Sequence, residues 1–454
     1  YGDTPPEYLF RGVQPSDEVA AVLCLGCGDL RSVLYSLWRE TAHCPAQSTA
    51  AAVPRFEVTL NDINPRVQAR NLLLLDLLLS QGVELSTVWG IWFSLFLSKR
   101  QASILQQAVE RLATLGRSPA AVSAYFRDVH SVRVWFGAAS DYHAVYGVLV
   151  RWGAMSRPLK TATVQNLRRG RLSQALSPST LGFANLSGLG VDYLDREKLS
   201  AKQGASEEMA RYWETGVCQA QTASAAKMAF DTVNISLQDN DRQYTLFPFS
   251  CPFHAFPPVL ATDESPAPLL KSAIHQLKLW RASLLAHKAT LSLDFSTADA
   301  LQLCHDLRAS GRVFQNISAG DVGDGPGLLP LLLATRGLVP FTDGPSCGSM
   351  STHISRFRPR YATEAEYLAD NLHLHPSFWP SCFGWRCVGH EGAGQLEYQF
   401  NRLQSPTVMK PASKPLAQQL CTAQFLWLPA PPAPPYLTTR LRKSPGAAGD
   451  DLMA

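Results

Sequence analysis

Seven consecutive apolar residues, Val19-Ala-Ala-Val-Leu-Cys-Leu25, run without interruption into Gly26-Cys-Gly-Asp29. An apolar run of that length, bounded by turn residues, reads as a strand buried on both faces. The glycines at 26 and 28 permit a tight turn. After them Leu30, Val33, Leu34, Leu37 and Trp38 share one face of a helix, with Arg31, Arg39 and Glu40 off it. The order then repeats. Residues 41–54, rich in Ala, Ser and Pro, form a loop before a second strand, Phe56-Glu-Val-Thr-Leu60, which ends in Asn61-Asp62 and leads to a helix opened by Pro65. A β-α-β-α beginning predicts an α/β fold with a mostly parallel sheet flanked by helices, and places any ligand crevice at the carboxyl ends of the strands.

The pattern weakens and then returns. Residues 85–115 read as helical, with Trp89, Trp92, Phe93, Phe96 and Leu97 on an aromatic face that is better suited to interior packing than to a ligand. From 117 to 265 the periodicity is poor and an irregular, partly helical insertion is expected, with one helix over 207–216 ending at glycine. The α/β alternation resumes at 266–345: a helix over 268–287, a strand over 289–295, a helix over 299–307 and a strand over 312–318. A second glycine-rich turn at 319–327 then opens onto an apolar helix at 328–338. Residues 346–428 form a carboxyl-terminal extension with short strands at 383–388 and 395–400, and 429–454 read as a Pro-rich, disordered tail.

Composition narrows the function classes. Hydrophobic residues are 46% of the 454 and charged residues 17%, enough to build a core. The 41 Lys and Arg against 37 Asp and Glu leave +4, which is too small and too dispersed to predict a nucleic-acid surface. Ten cysteines spread along the chain lack the density of a secreted disulfide framework, which favours a reducing, cytoplasmic setting. The most apolar run, 72–79, is interrupted by Asp76 and falls short of the ~20 residues that span a bilayer, so no membrane segment is expected. The Asn-x-Ser/Thr tripeptides at Asn185, Asn234 and Asn316 carry little weight.

The first glycine turn compares with a dinucleotide fingerprint but departs from it. Arg31 stands at the third glycine position, and Asp29 puts a carboxylate beside the helix amides, where it caps the helix and repels phosphate. S-Adenosylmethionine has no phosphate and carries a sulfonium cation, so a Gly-x-Gly turn with nearby acids suits it better. Asp62, at the end of the second strand, could accept hydrogen bonds from both ribose hydroxyls, although it lies 34 residues after Gly28 where the compact fingerprint has ~20. It could equally cap the helix at Pro65. Candidate cofactor-binding residues are therefore Gly26, Cys27, Gly28, Asp29, Asp62 and Ile63, with Ser318 and Asp321 of the second turn facing them across the crevice. Cys24 and Cys27 lack a second cysteine pair at zinc spacing, so no metal is expected, and no histidine is linked by motif to a nucleophile.

Several motifs together resemble the DUF4470 domain. They are Tyr1-Gly-Asp-Thr-Pro5, Leu25-Gly-Cys-Gly-Asp-Leu-Arg-Ser-Val33, Leu60-Asn-Asp62, Ala69-Arg-Asn-Leu-Leu-Leu74, Ile91-Trp-Phe-Ser-Leu95 and, distally, Ala298-Asp-Ala-Leu301 and the stretch 313–333. The domain often follows a MYND zinc finger, and a related form opens an axonemal dynein assembly factor. The resemblance implies a methyltransferase-like Rossmann fold with Gly26, Gly28 and Asp62 at the glycine turn and ribose acid, and no established activity. Two functions follow as expectations. The first is a cytoplasmic protein-interaction or assembly factor, with chaperones or dynein chains as partners. The alternative is an active S-adenosylmethionine-dependent methyltransferase. A nucleotide-binding switch is disfavoured by Arg31 and by the lack of Gly-x-x-x-x-Gly-Lys.

Overall fold

The structure, a computed structural model, describes residues 6–10, 18–43, 55–155, 231–240, 269–320, 326–339, 349–354, 385–392 and 423–429, together with a few short stretches and single positions such as 212, 215–218, 243–244 and 322–324. The strand read from the apolar run is β1 (Val19–Leu25), and it pairs in parallel with β2 (Arg55–Asn61), Val19 opposite Arg55 and Leu25 opposite Asn61. Between them lies α1 (Arg31–His43). After β2 come α2 (Pro65–Leu79), α3 (Leu85–Phe93), β3 (Phe96–Leu97), α4 (Lys99–Thr114), α5 (Pro119–Tyr125), β4 (Arg133–Phe136) and α6 (Ala139–Gly153). Farther along are β5 (Thr232–Val233), a small hairpin of β6 (Gln238–Asn240) and β7 (Gln243–Tyr244), α7 (Leu269–His287), β8 (Leu291–Ser296), α8 (Ala300–Ala309), β9 (Asn316–Ser318) and α9 (Leu328–Thr335). The last strands are β10 (Ser349–Ile354), β11 (Trp385–Gly392) and β12 (Ala423–Pro429).

Eight strands form one sheet in the order β11-β12-β10-β9-β1-β2-β8-β4. The six from β10 to β4 are mutually parallel; β12 is antiparallel to both β10 and β11. The fold is thus a mixed α/β architecture with a mostly parallel sheet flanked by helices. Side-chain alternation in β1 divides the interior into two cores. Ala20, Val22 and Cys24 join the larger one, with residues of α1, α2, α3, α4, α6 and α7; Leu23 and Leu25 join the smaller one, with α8 and α9. A strand buried on both faces reads as one unbroken apolar run, which is why β1 was conspicuous in the sequence.

Several elements differ from the sequence reading. Residues 85–115 are not one helical stretch: α3 stops at Phe93, and Ser98 starts α4 through a reciprocal cap with Gln101. Between them β3 pairs antiparallel with β5, an arrangement invisible to local periodicity because β5 lies far along the chain. The segment 117–265, expected to be irregular, contributes α5, β4 and α6, and β4 is a strand of the main sheet. Only Val134 of β4 is fully buried, so the strand offers no apolar run to recognise. The strand expected over 312–318 is confined to β9, and β10 to β12 extend the main sheet. Most of 207–216, the strand expected over 395–400 and the Pro-rich tail lie outside the described residues.

Helix α2 is buried from Val67 to Leu79 on every side, and so behaves as a central core helix. Among the described residues no helix is long and apolar enough to cross a membrane.

Candidate functional site

The turn after β1 and the acid after β2 meet at the carboxyl end of the sheet. Gly26 and Gly28 have φ of 61° and 60°, in the left-handed region where glycine alone is free of a Cβ penalty. The Cys27 N–H donates to Asn61 O at 2.8 Å, which ties the turn to the end of β2. The Gly28 N–H donates to Asp62 Oδ2 at 3.3 Å, while Asp62 Oδ1 accepts from Asn64 N–H at 2.9 Å. Asn64 is the N-cap of α2, accepting from Arg66 N–H at 3.0 Å, so Asp62 supports the cap from two residues upstream.

Asp29 acts as a local cap. Its Oδ1 accepts from Arg31 N–H at 3.1 Å, and its carboxylate takes the Arg31 Nε at 2.8 and 2.7 Å, both side chains being buried. Its own N–H donates to Cys27 O at 2.6 Å. The amides of residues 27, 28, 29 and 31 are therefore all used within the chain. A phosphate or carboxylate finds no donor among those four, and Arg31, which could have offered a cation, is held by Asp29. Each Asp62 carboxylate oxygen accepts a backbone amide, Oδ2 from Gly28 and Oδ1 from Asn64. Ile63, beside Asp62, is 67% exposed.

The second half of the crevice is occupied by the chain's own amino-terminal segment. Cys24 of β1, Ser318 of β9 and Ser351 of β10 stand side by side in register. Both serine hydroxyls donate to Glu7 Oε2, at 2.9 Å from Ser318 and 2.8 Å from Ser351. Ser318 was expected to face a ligand; its hydroxyl instead anchors Glu7. The segment is fixed further by Leu9 N–H to Ser36 Oγ at 2.8 Å, by Asn316 Nδ2 to Leu9 O at 2.8 Å, and by Phe10 against Phe56. The two glycine turns touch: Gly320 has φ of 47°, and a Cβ there would sit 3.3 Å from both Gly26 O and Leu25 O. Asp321 lies outside the described residues.

Cys27 faces α2 rather than a ligand. Gln68 Nε2 and Asn71 Nδ2 lie 3.7 and 3.8 Å from its sulfur. Burial pushes its thiol well above the ordinary range, with the charges of Asp62, Cys24 and Asp29 acting the same way. Cys24 is also raised, by burial first and then by Glu7. Neither is a poised thiolate. Among the described residues no group of three or more His, Cys, Asp or Glu side chains is placed to hold a metal ion. Asn234 and Asn316 are buried and hydrogen-bonded, which excludes them as glycan acceptors in the folded chain.

Two buried polar clusters escaped the sequence reading. The first surrounds Asp76, the residue that interrupts the leucine run of α2. Its carboxylate accepts from His130 Nε2 at 3.0 Å, from Tyr125 Oη at 2.7 Å and from Arg111. Burial alone would raise the Asp76 carboxyl, but the bonds from His130, Arg111 and Tyr125 outweigh it and hold it below the ordinary value. Tyr125 is pushed up to about 12, by burial and then by its bond to Asp76. The second cluster surrounds Arg70. Its guanidinium donates to Ile91 O at 3.2 Å, to Trp92 O and to Ser236 Oγ, so it caps the carboxyl end of α3. Asn234 Nδ2 donates to Ile91 O and Ser94 O at 2.9 Å each, and Tyr212 Oη to Phe93 O at 3.2 Å. The motifs containing Arg70 and Ile91-Trp-Phe-Ser-Leu95 thus meet where the inserted segment docks. Asp76, a charge inside a leucine run, was the available signal for the first cluster; Arg70, between Ala69 and Asn71, gave none.

These features define a mixed α/β protein in which a glycine turn and an acid meet at the carboxyl ends of parallel strands. Residues 1–97 match the family described as domain of unknown function DUF4470, in agreement with the resemblance seen in the motifs of this region. No curated protein and no solved structure matches the chain.

Proposed function

We propose that this chain is a cytoplasmic protein-interaction or assembly module built on a methyltransferase-like Rossmann fold, of the kind that serves axonemal dynein preassembly. The strand order supports the fold assignment. Setting aside the edge strand β4, which the inserted segment adds outside β8, the strands β8, β2, β1, β9 and β10 follow the 3-2-1-4-5 order of doubly wound folds, with the switch point between β1 and β9. The last strand, β12, runs reversed between β10 and β11, as the final strand does in methyltransferase-like sheets. One observation carries the non-catalytic reading: the polar groups of the crevice are satisfied from within, the amides of 27, 28, 29 and 31 by the chain itself and the hydroxyls of Ser318 and Ser351 by Glu7. A fold can persist while its site takes another use.

The second reading, an S-adenosylmethionine-dependent methyltransferase, is favoured by Asp62 beside the glycine turn and by exposed Ile63. If that cofactor binds, Gly26, Gly28, Asp62 and Ile63 hold its nucleoside, and it supplies an electrophilic methyl group; the chain's contribution is positioning. Titration calorimetry with S-adenosylmethionine and S-adenosylhomocysteine on the wild type and Asp62→Ala separates the two. The first reading expects no heat at micromolar to millimolar cofactor, together with direct binding to purified dynein heavy-chain segments or chaperones. Micromolar binding that Asp62→Ala abolishes would overturn it.

A further inference from the structure

Strand β4 ends the main sheet, and among the described residues no strand pairs with its outer edge, although Val132, just before it, donates its N–H to Phe126 O at 3.1 Å. The Gly137 N–H donates inward to Phe295 O of β8 at 3.4 Å. Backbone groups alternate in direction along a strand, so the N–H and C=O of Val134 and Phe136 point outward from the sheet. Natural edges of this kind are covered or guarded because they template pairing with another strand. Here the edge carries a tryptophan: Trp135 is 48% exposed, and Arg133, on the same face two residues earlier, is exposed as well. Trp and Arg are the residues most enriched where interfaces concentrate their binding energy.

We propose that β4 pairs antiparallel with β4 of a second copy of this chain about a two-fold axis, joining two sheets edge to edge. The sequence Arg133-Val-Trp-Phe136 is complementary to itself in one register. With Val134 opposite Val134 of the second copy, the outward N–H and C=O groups of that residue form a hydrogen-bonded pair. Arg133 then stands directly opposite Trp135 of the second copy, on the same face and in the closer, non-hydrogen-bonded kind of pair. The symmetry repeats that contact. A guanidinium over an indole face is the strongest common cation–ring pairing, and it occurs twice. Cation–ring complementarity of this kind favours a second copy over an arbitrary strand, because a partner needs a cation and an aromatic ring two residues apart in this order. Four residues bury little area, so the dimer belongs to the weak, concentration-dependent class.

Sedimentation equilibrium on the full chain across about 1–200 µM tests this, in the range where weak interfaces of small area populate both states. The wild type is expected to shift from monomer to dimer. Arg133→Glu should raise the dimer dissociation constant at least tenfold. Arg133→Glu combined with Trp135→Lys puts opposite charges in register and should recover most of the loss. Both positions are exposed, so far-UV circular dichroism should be unchanged, which separates loss of pairing from loss of fold. A wild type that stays monomeric throughout, or dimerisation insensitive to both variants, would overturn the proposal.

Discussion

Replacing Asp76 by alanine is the sharpest test of how the core is held. The carboxylate is fully buried and accepts three hydrogen bonds from side chains on two stretches of chain: Arg111 of α4, and Tyr125 and His130 on the helical segment that runs from the end of α5 through a π-helical turn. Arg111, with a side chain 39% exposed, can turn to water when its partner is removed. His130 is buried and has no such escape, and Tyr125 is partly buried. Two donors left without this acceptor cost about 1–3 kcal/mol each, and removal of one partner from a buried ionic cluster costs about 3–5 kcal/mol by measurement elsewhere. The two routes converge on a loss of about 3–5 kcal/mol. Urea unfolding with an unchanged slope and a lowered midpoint is the assay. Asp76→Asn, which keeps the volume and one acceptor oxygen, should lose distinctly less. A loss below about 1 kcal/mol for alanine, the size of an ordinary surface change, would refute the claim that this cluster anchors α2 to the approach to β4.

Other outcomes follow from the same geometry. Because the Asp76 carboxyl is held below its ordinary value in the folded chain, its stabilising contribution is present above about pH 4 and is lost as pH falls through the folded value. The stability gap between wild type and Asp76→Asn should therefore narrow below pH 4, and a gap independent of pH would contradict this. Arg70→Met should cost about 1–3 kcal/mol through the uncapped carbonyls of α3. It should also speed amide exchange around 232–238 more than in β1 or β2; uniform exchange would contradict a local docking role. Gly320→Ala should destabilise by about 1–2 kcal/mol, since the residue has φ of 47° and its Cβ would press on Gly26 O and Leu25 O at 3.3 Å; an unchanged melting temperature would argue against the contact. Cys27, its thiol raised by burial, should alkylate at pH 8 more slowly than free cysteine, as site-resolved mass spectrometry can measure; an equal or faster rate would contradict its burial.

The first crossover unit was legible in the sequence because its signals are local. A doubly buried strand must be apolar at every position, a left-handed turn selects glycine, and a helix start selects a capping residue; 19–31 contains all three, and 55–66 adds a second strand and the capping Asn64. That Asp62 reaches the Gly28 amide also follows, since parallel strands of equal length bring their carboxyl ends together. The same logic fails where a residue's role depends on a distant partner. Ser318 is a plausible ligand-facing hydroxyl until Glu7, 311 positions away, takes its hydrogen bond. Asp76 in a leucine run reads as an interruption until His130, Tyr125 and Arg111 converge on it. A buried charge is tolerated only where folding supplies its partners, and those partners come from segments whose separation along the chain carries no information about their meeting. The sequence by itself thus determined the strand, turn and cap at the head of the sheet. Only the tertiary structure decided which polar groups remain free for a ligand and which the chain uses to hold itself together.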